Sequence, residues 1–239
     1  MRYLIRFSYD GTLFHGFQRQ KNVKNVQGLL EQTLSGYFGQ DILIKGSGRT
    51  DAGVHAKCQC AHFDTSKKVT WKDIKCINKI LNGEIVINNL KLVDNNFHAR
   101  HDVKKKTYVY KINVGKYKSN YEGYYYQIKY DLDIKKMREA SKVFVGVHDY
   151  RNFVSGYRDD YESVIYNIKI SKFGNILTFK FAGAGFYRYM VRHLVGALVD
   201  VGKGKVDINT IYGMIDNKEF TKKLCVVPAC GLYLTDIKY

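Results

Sequence analysis

Gly46-Ser-Gly-Arg-Thr-Asp-Ala-Gly-Val-His-Ala56 is the stretch that holds the most chemistry. Its glycines permit a tight backbone and close approach to a ligand. Arg49 and Asp51 stand two residues apart within it. The chain carries 39 Lys and Arg against 22 Asp and Glu, a formal net charge of +17. A field of that sign favours a polyanion, RNA or DNA first and a membrane surface second. A lysine-rich proteome would give the same balance with no such partner. A carboxylate on an anion-binding surface opposes binding unless it reacts. It can attack covalently or take a proton, and a neighbouring arginine keeps it ionised. An ordinary Asp-Ala-Gly turn, with the carboxylate bonded to backbone N–H groups, explains Asp51 equally well. If Asp51 does react, isomerisation of a pyrimidine nucleoside fits the groups at hand. That reaction breaks an N-glycosidic bond and remakes it as a C–C bond, with no redox step and no net hydrolysis. It needs one ionised carboxylate, a way to unstack the base, and a group to take the C5 proton.

Two further stretches carry charge beside aromatic rings. In Gly183-Ala-Gly-Phe-Tyr-Arg-Tyr-Met-Val-Arg-His-Leu-Val-Gly196, the residues Phe186, Met190, Leu194 and Leu198 recur every fourth position. They predict the buried stripe of a helix, with Arg188 and Arg192 four apart on another face. Those arginines suit phosphate, or one suits Asp51; two solvated arginines is the plainer reading. In Lys104-Lys-Lys-Thr-Tyr-Val-Tyr-Lys111, strand alternation puts Lys106, Tyr108 and Tyr110 on one face. Tyrosine beside Lys104, Lys105 and Lys106 suits base stacking next to phosphate, and a tyrosine capping a half-buried sheet fits as well.

The elements that must position these residues follow from periodicity. Tyr3, Ile5, Phe7 and Tyr9 alternate along a strand over residues 2–9. Asn25 caps a helix with Val26, Leu29, Leu30, Leu34, Tyr37 and Phe38 as its apolar positions. Short strands are expected at residues 42–45 and 58–64. Thr70 caps a second helix with Trp71, Ile74, Ile77 and Leu81 inward, and residues 85–93 form a strand. The order βαββαβ is that of the ferredoxin-like split unit. The second half reads as strand 105–114, a helix from Asp133 to residue 145, a hairpin of 163–171 and 175–181 around Gly174, a helix 185–201, a shorter helix 207–216 and a strand 231–237. This gives an α+β chain of two ferredoxin-like halves. Residues 1–103 form the N-terminal half with the Asp51 loop, and 104–239 form the C-terminal half. An extended antiparallel sheet and a central cleft are expected.

The chain has 239 residues, 45% hydrophobic and 14% aromatic, with 20 tyrosines. That is enough to bury a core without disulfides or metal. No apolar run reaches about 18 residues, and a strand pattern at the start argues against a signal peptide. Five cysteines, Cys58, Cys60, Cys76, Cys225 and Cys230, lack metal spacing. They read as reduced core residues of a cytoplasmic protein.

Tyr9-Asp-Gly-Thr-Leu-Phe-His-Gly-Phe-Gln18, Gly48-Arg-Thr-Asp-Ala-Gly-Val-His-Ala56, Phe97-His-Ala-Arg100, Lys106-Thr-Tyr-Val-Tyr110, Gly146-Val-His-Asp149, Met190-Val-Arg192 and Gly231-Leu-Tyr-Leu234 follow one another in order. With these motifs the chain resembles the TruA-type tRNA pseudouridine synthases over nearly its whole length. The resemblance implies a pseudouridine-synthase fold and Asp51 as the catalytic aspartate. It implies that Arg49 assists base flipping, that Tyr108 stacks on the target uracil, that Arg192 pairs with Asp51, and that Leu232 helps line the pocket. It implies no metal, no organic cofactor, and a homodimer acting on the anticodon stem-loop of tRNA. Base flipping supplies the need for such a pocket. Departures from the family pattern fall at Phe17, Tyr166, Ala184, Tyr187-Arg-Tyr189 and Pro228-Ala-Cys-Gly231. They surround the RNA-facing positions, among them Arg188, and leave two alternatives: a relative acting on ribosomal RNA, and a non-catalytic RNA-binding module.

Overall fold

The computed structural model describes residues 1–216 and 225–239. The chain divides into two compact units, residues 1–104 with 233–239, and residues 105–232.

The first unit opens with β1 (Arg2–Tyr9), whose Tyr3, Ile5, Phe7 and Tyr9 are all buried. Helix α1 (Val26–Phe38) starts where the Asn25 side chain accepts the Gly28 N–H at 2.8 Å, and ends at Gly39 with φ 63°. These are a side-chain N-cap and a left-handed C-cap. Strands β2 (Ile44–Gly46) and β3 (His55–Asp64) follow. Helix α2 (Trp71–Ile80) begins at Thr70, whose N–H and hydroxyl both donate to the Asp73 carboxylate at 2.7 Å. Strand β4 (Ile85–Val93) completes the unit. β1 lies antiparallel between β3 and β4, and β2 is antiparallel to β3. The resulting order 4-1-3-2 is the split βαβ arrangement expected from the sequence. Trp71 is the exception among the apolar positions of α2: it is 46% exposed, while Ile74, Ile77 and Leu81 are buried. As the first helical residue it overhangs the stripe those three form.

The second unit contains β5 (Lys105–Asn113), β6 (Tyr126–Gln127), α3 (Ile134–Ser141), β7 (Gly146–Asp149), β8 (Glu162–Phe173), β9 (Ile176–Gly183), α4 (Met190–Gly202) and α5 (Ile208–Asp216). Asp133 caps α3 by accepting the Lys136 N–H. β8 and β9 form the expected hairpin, with Gly174 at φ 54° in its turn. β9 also pairs with β5, and β7 extends the sheet beyond β8. β6 and β7 escape periodicity because they are too short to show any. The final strand β10 (Leu232–Lys238) runs parallel to β3, with Tyr233 opposite His55 and Leu234 opposite Ala56. From Tyr233 onward the chain therefore belongs with the first unit, whereas periodicity alone placed it in the C-terminal half.

Helix α4 begins at Met190, five residues after the expected start. Tyr189 sits at φ 62° and ψ 0°, a left-handed conformation that cannot continue a right-handed helix. Phe186 and Arg188 therefore precede the helix, and their spacing to Met190 and Arg192 is not a helical one. The cysteines also depart from expectation. All five are free thiols, but only Cys60 is buried; Cys76 and Cys225 are exposed. Among the described residues no helix is long and apolar enough to cross a membrane, and no group of three His, Cys, Asp or Glu could hold a metal ion.

Candidate active site

Asp51 lies in the loop between β2 and β3 and is half-buried, while Arg49 is exposed. The Asp-Ala-Gly turn is present. It is closed by the main-chain carbonyl of Asp51, which accepts the Val54 N–H at 3.1 Å, with Gly53 at φ 78°. The main chain thus closes the turn.

Two sets of contacts hold this loop. From outside, residues 9–17 bracket it. The Phe17 N–H donates to the Thr50 carbonyl at 3.0 Å, and the Tyr9 and Thr50 hydroxyls share a hydrogen bond of 2.7 Å. Burial pushes the Tyr9 phenol up to about 12, against hydrogen bonds from Thr50 and Gln59 that lower it. Tyr9 is therefore a neutral hydrogen-bonding group at any ordinary pH. Two glycines allow the close approach. A Cβ on Gly11 would stand 2.3 Å from the Val54 carbonyl oxygen. One on Gly16, which sits at φ 91°, would stand 3.0 Å from the Thr50 carbonyl oxygen. The motif Tyr9–Gln18 is thus a clamp on the Asp51 loop.

From inside, Gln59 of β3 holds the loop. Its side chain is fully buried. Oε1 accepts the Ser47 hydroxyl at 2.7 Å and the Cys60 N–H at 3.1 Å, and Nε2 donates to the Gly48 carbonyl at 3.1 Å. Sequence reasoning missed Gln59, because a polar residue in a strand reads as solvent-facing. His55 was missed as a scaffold because it fell in the expected loop, before the strand expected at 58–64. It is 3% exposed, its Nδ1 accepts the Gly11 N–H at 3.1 Å, and its ring stacks on Tyr233 at 4.5 Å. Asp10 Oδ1 lies 3.2 Å from the same ring nitrogen. The motif run Gly48–Ala56 could have flagged His55, since it ends on that segment.

The remaining sequence-predicted residues, apart from Lys104, belong to the second unit. Tyr108 on β5 is buried, with its ring edge-to-face with Phe186 at 5.2 Å. Arg192 on α4 donates from Nε to the Val227 carbonyl at 2.8 Å, and its guanidinium lies 4.5 Å from the Tyr189 ring centre. Arg188 approaches the same ring at 5.0 Å and is exposed. One tyrosine thus gathers the two arginines that the mistaken helix was expected to align. Leu232 is buried just after Gly231, whose Cα packs against the Tyr110 ring so tightly that a Cβ would stand 2.8 Å from it. Lys105 and Lys106 are half-buried on β5. Lys104 is exposed at the end of the first unit and donates its N–H to the Lys238 carbonyl. Within each unit, then, Asp51 and Arg49 share one loop, while Tyr108, Phe186, Tyr189 and Arg192 link β5 to the start of α4.

The sequence model of the family described as tRNA pseudouridine synthase matches residues 5–113 and 140–239. The tRNA pseudouridine synthase A of Lactobacillus helveticus is 37% identical over 246 residues, covering 100% of this chain and 94% of that protein. The one from Mycoplasma genitalium is 37% identical over 242 residues, covering 100% and 98%. Among solved structures, a Cbf5-Nop10-Gar1 complex contains a chain with a TM-score of 0.36 at 13% identity, covering 72% of this chain and 40% of that one, a likeness too weak to argue from. Full-length identity to named relatives and a match along both units lead to one conclusion: the chain belongs to the tRNA pseudouridine synthase family and is an isomerase.

Proposed function

We propose that the chain converts uridine to pseudouridine in the anticodon stem-loop of tRNA, with Asp51 as the catalytic carboxylate. The observation that carries this reading is the two-sided hold on the Asp51 loop. A buried glutamine and a glycine clamp fix the backbone of the loop that presents Asp51. A preorganised carboxylate loses little on meeting the reacting nucleotide. Arg49, exposed two residues earlier, supports base flipping. Tyr108 is assigned to stacking on the target base and Arg192 to keeping a carboxylate ionised. Leu232 contributes apolar lining, and Arg188, Lys104, Lys105 and Lys106 meet phosphate. No metal or organic cofactor is required by this chemistry, since the glycosidic bond that breaks is replaced by a C5–C1′ bond and the C5 proton leaves to water. The family resemblance supports a homodimer, and five free thiols suit a reducing cytoplasm.

Mapping pseudouridine in total RNA from a strain lacking the gene checks the substrate. The expected result is loss of pseudouridine from tRNA anticodon arms alone. Loss from ribosomal RNA instead would move the reading to the alternative substrate.

A further inference from the structure

Residues 114–139 lie between the two segments that the family's sequence model matches. They open with a loop from β5 to β6 that is built to hold its own shape. Asn113, 1% exposed, donates from Nδ2 to the Lys116 carbonyl at 2.9 Å and to Gln127 Oε1 at 3.0 Å, and its Oδ1 accepts the Gly115 N–H. Gln127 in turn accepts the Lys118 N–H and donates to the Lys118 carbonyl, both at 2.9 Å. These polar contacts hold the loop; Tyr121 and Tyr125 are half-buried in it, and the Tyr117 hydroxyl donates to the Glu122 carboxylate at 2.7 Å. Tyr121 and Tyr125 stack at 4.3 Å with their planes 26° apart. Lys118 Nζ lies 5.1 Å from the Tyr121 ring and Lys111 Nζ 5.2 Å from the Tyr125 ring. Tyr117 is 67% exposed and Tyr124 40%.

A rigid loop that shows rings next to ammonium groups matches the chemistry of unpaired RNA. Bases offer flat π faces to the rings, and phosphates offer charge to the lysines. We propose that this loop binds unpaired nucleotides of the RNA substrate other than the nucleotide that reacts, through Tyr117, Tyr124 and the Tyr121–Tyr125 stack flanked by Lys111 and Lys118. This rests on the reading of the chain as an RNA-modifying enzyme and adds a second contact surface to it. A second copy of the chain is the competing occupant. Lys111, Lys116 and Lys118 outnumber the one carboxylate of the loop, Glu122, so the charge favours a polyanion.

The test uses the full chain and a fluorescent, unmodified tRNA transcript, read by anisotropy and by turnover. Replacing Tyr117 and Tyr124 together by Ala should raise Kd by about tenfold or more, the range for losing base–aromatic stacking. KM should rise in step while the rate at saturating RNA stays unchanged. The matching pair of Tyr→Phe changes should stay within about twofold of wild type, since stacking needs the ring and not the hydroxyl. A Kd for the double Ala variant within about twofold of wild type would overturn the proposal. So would a change in sedimentation at unchanged RNA affinity, which assigns the surface to a second copy. If the wild-type chain binds the transcript but forms no pseudouridine, the proposed function falls while the Kd comparison still decides the loop.

Discussion

The Asp51 loop and the segment entering α4 differ in what is added to their hydrogen bonds. Residues 46–54 are fixed by buried hydrogen bonds and by backbone approaches that only glycine allows. Residues 184–189 are held by hydrogen bonds to neighbouring segments, among them Ala184 N–H to the Val164 carbonyl at 3.0 Å and Ser155 N–H to the Arg188 carbonyl at 3.1 Å, and in addition by rings and cations. Tyr189 carries Arg188 and Arg192 on its ring, and Arg158 lies 4.4 Å from the Tyr187 ring. A left-handed non-glycine residue costs about 1–2 kcal/mol, and each surface cation–π contact returns about 0.5–1 kcal/mol. At Tyr189 that strain and those two contacts nearly cancel, whereas Ser47, Gly48 and Cys60 behind the Asp51 loop depend on the buried Gln59 side chain. The difference teaches that buried polar contacts fix the carboxylate loop, whereas the ring of one strained tyrosine gathers Arg188 and Arg192 at the start of α4.

The comparison breaks most easily at Gln59. Gln59→Leu removes the partners of Ser47, Gly48 and Cys60 together, with a cost of about 1–3 kcal/mol for each buried group left unpaired. Chemical denaturation should show a loss of at least about 3 kcal/mol. Next comes Gly11→Ala, where the new methyl meets the Val54 carbonyl and the backbone must shift. Overpacking of this kind costs about 1–3 kcal/mol, and activity should fall because the displaced residues adjoin Asp51. At Tyr189 the account expects little: Tyr189→Asn relieves strain and loses two cation–π contacts, so stability should move by less than about 1 kcal/mol. A large loss there, read by thermal unfolding, would erase the contrast between the two segments.

The smallest expected effect sharpens the rigidity of the first unit. His62 is 3% exposed, and its Nδ1 accepts the Ala99 N–H at 3.1 Å. Burial, then the Arg2 charge, lowers its pKa from 6.5 to about 4. The unfolded chain takes up the proton first, so this stability is present above about pH 6.5 and is lost as pH falls towards about 4. His62→Gln should flatten part of the decline in melting temperature over that window. An unchanged slope would remove His62 from the account.

Much of the first unit was legible because its signals are local. Alternation gave β1, and Asn25 and Thr70 marked the starts of α1 and α2. The Gly-rich stretch marked the Asp51 loop, since tight backbone needs glycine. Contacts between distant residues were not legible. Nothing near Tyr233 says that it will lie beside His55, and nothing in the strand around Gln59 says that its amide faces inward. The start of α4 was misread because an apolar residue every fourth position continues through Phe186, while the left-handed turn at Tyr189 leaves no mark on periodicity. Tyr189 falls within the Tyr187-Arg-Tyr189 departure from the family pattern, and that departure was the available signal.

The central claim is that Asp51 performs the reaction, and its most direct test is tritium release from C5-labelled uridine RNA by the Asp51→Asn variant, with RNA affinity measured alongside. The account predicts that release stops while the transcript still binds within a few-fold of wild type. Continued release at the wild-type rate would contradict it.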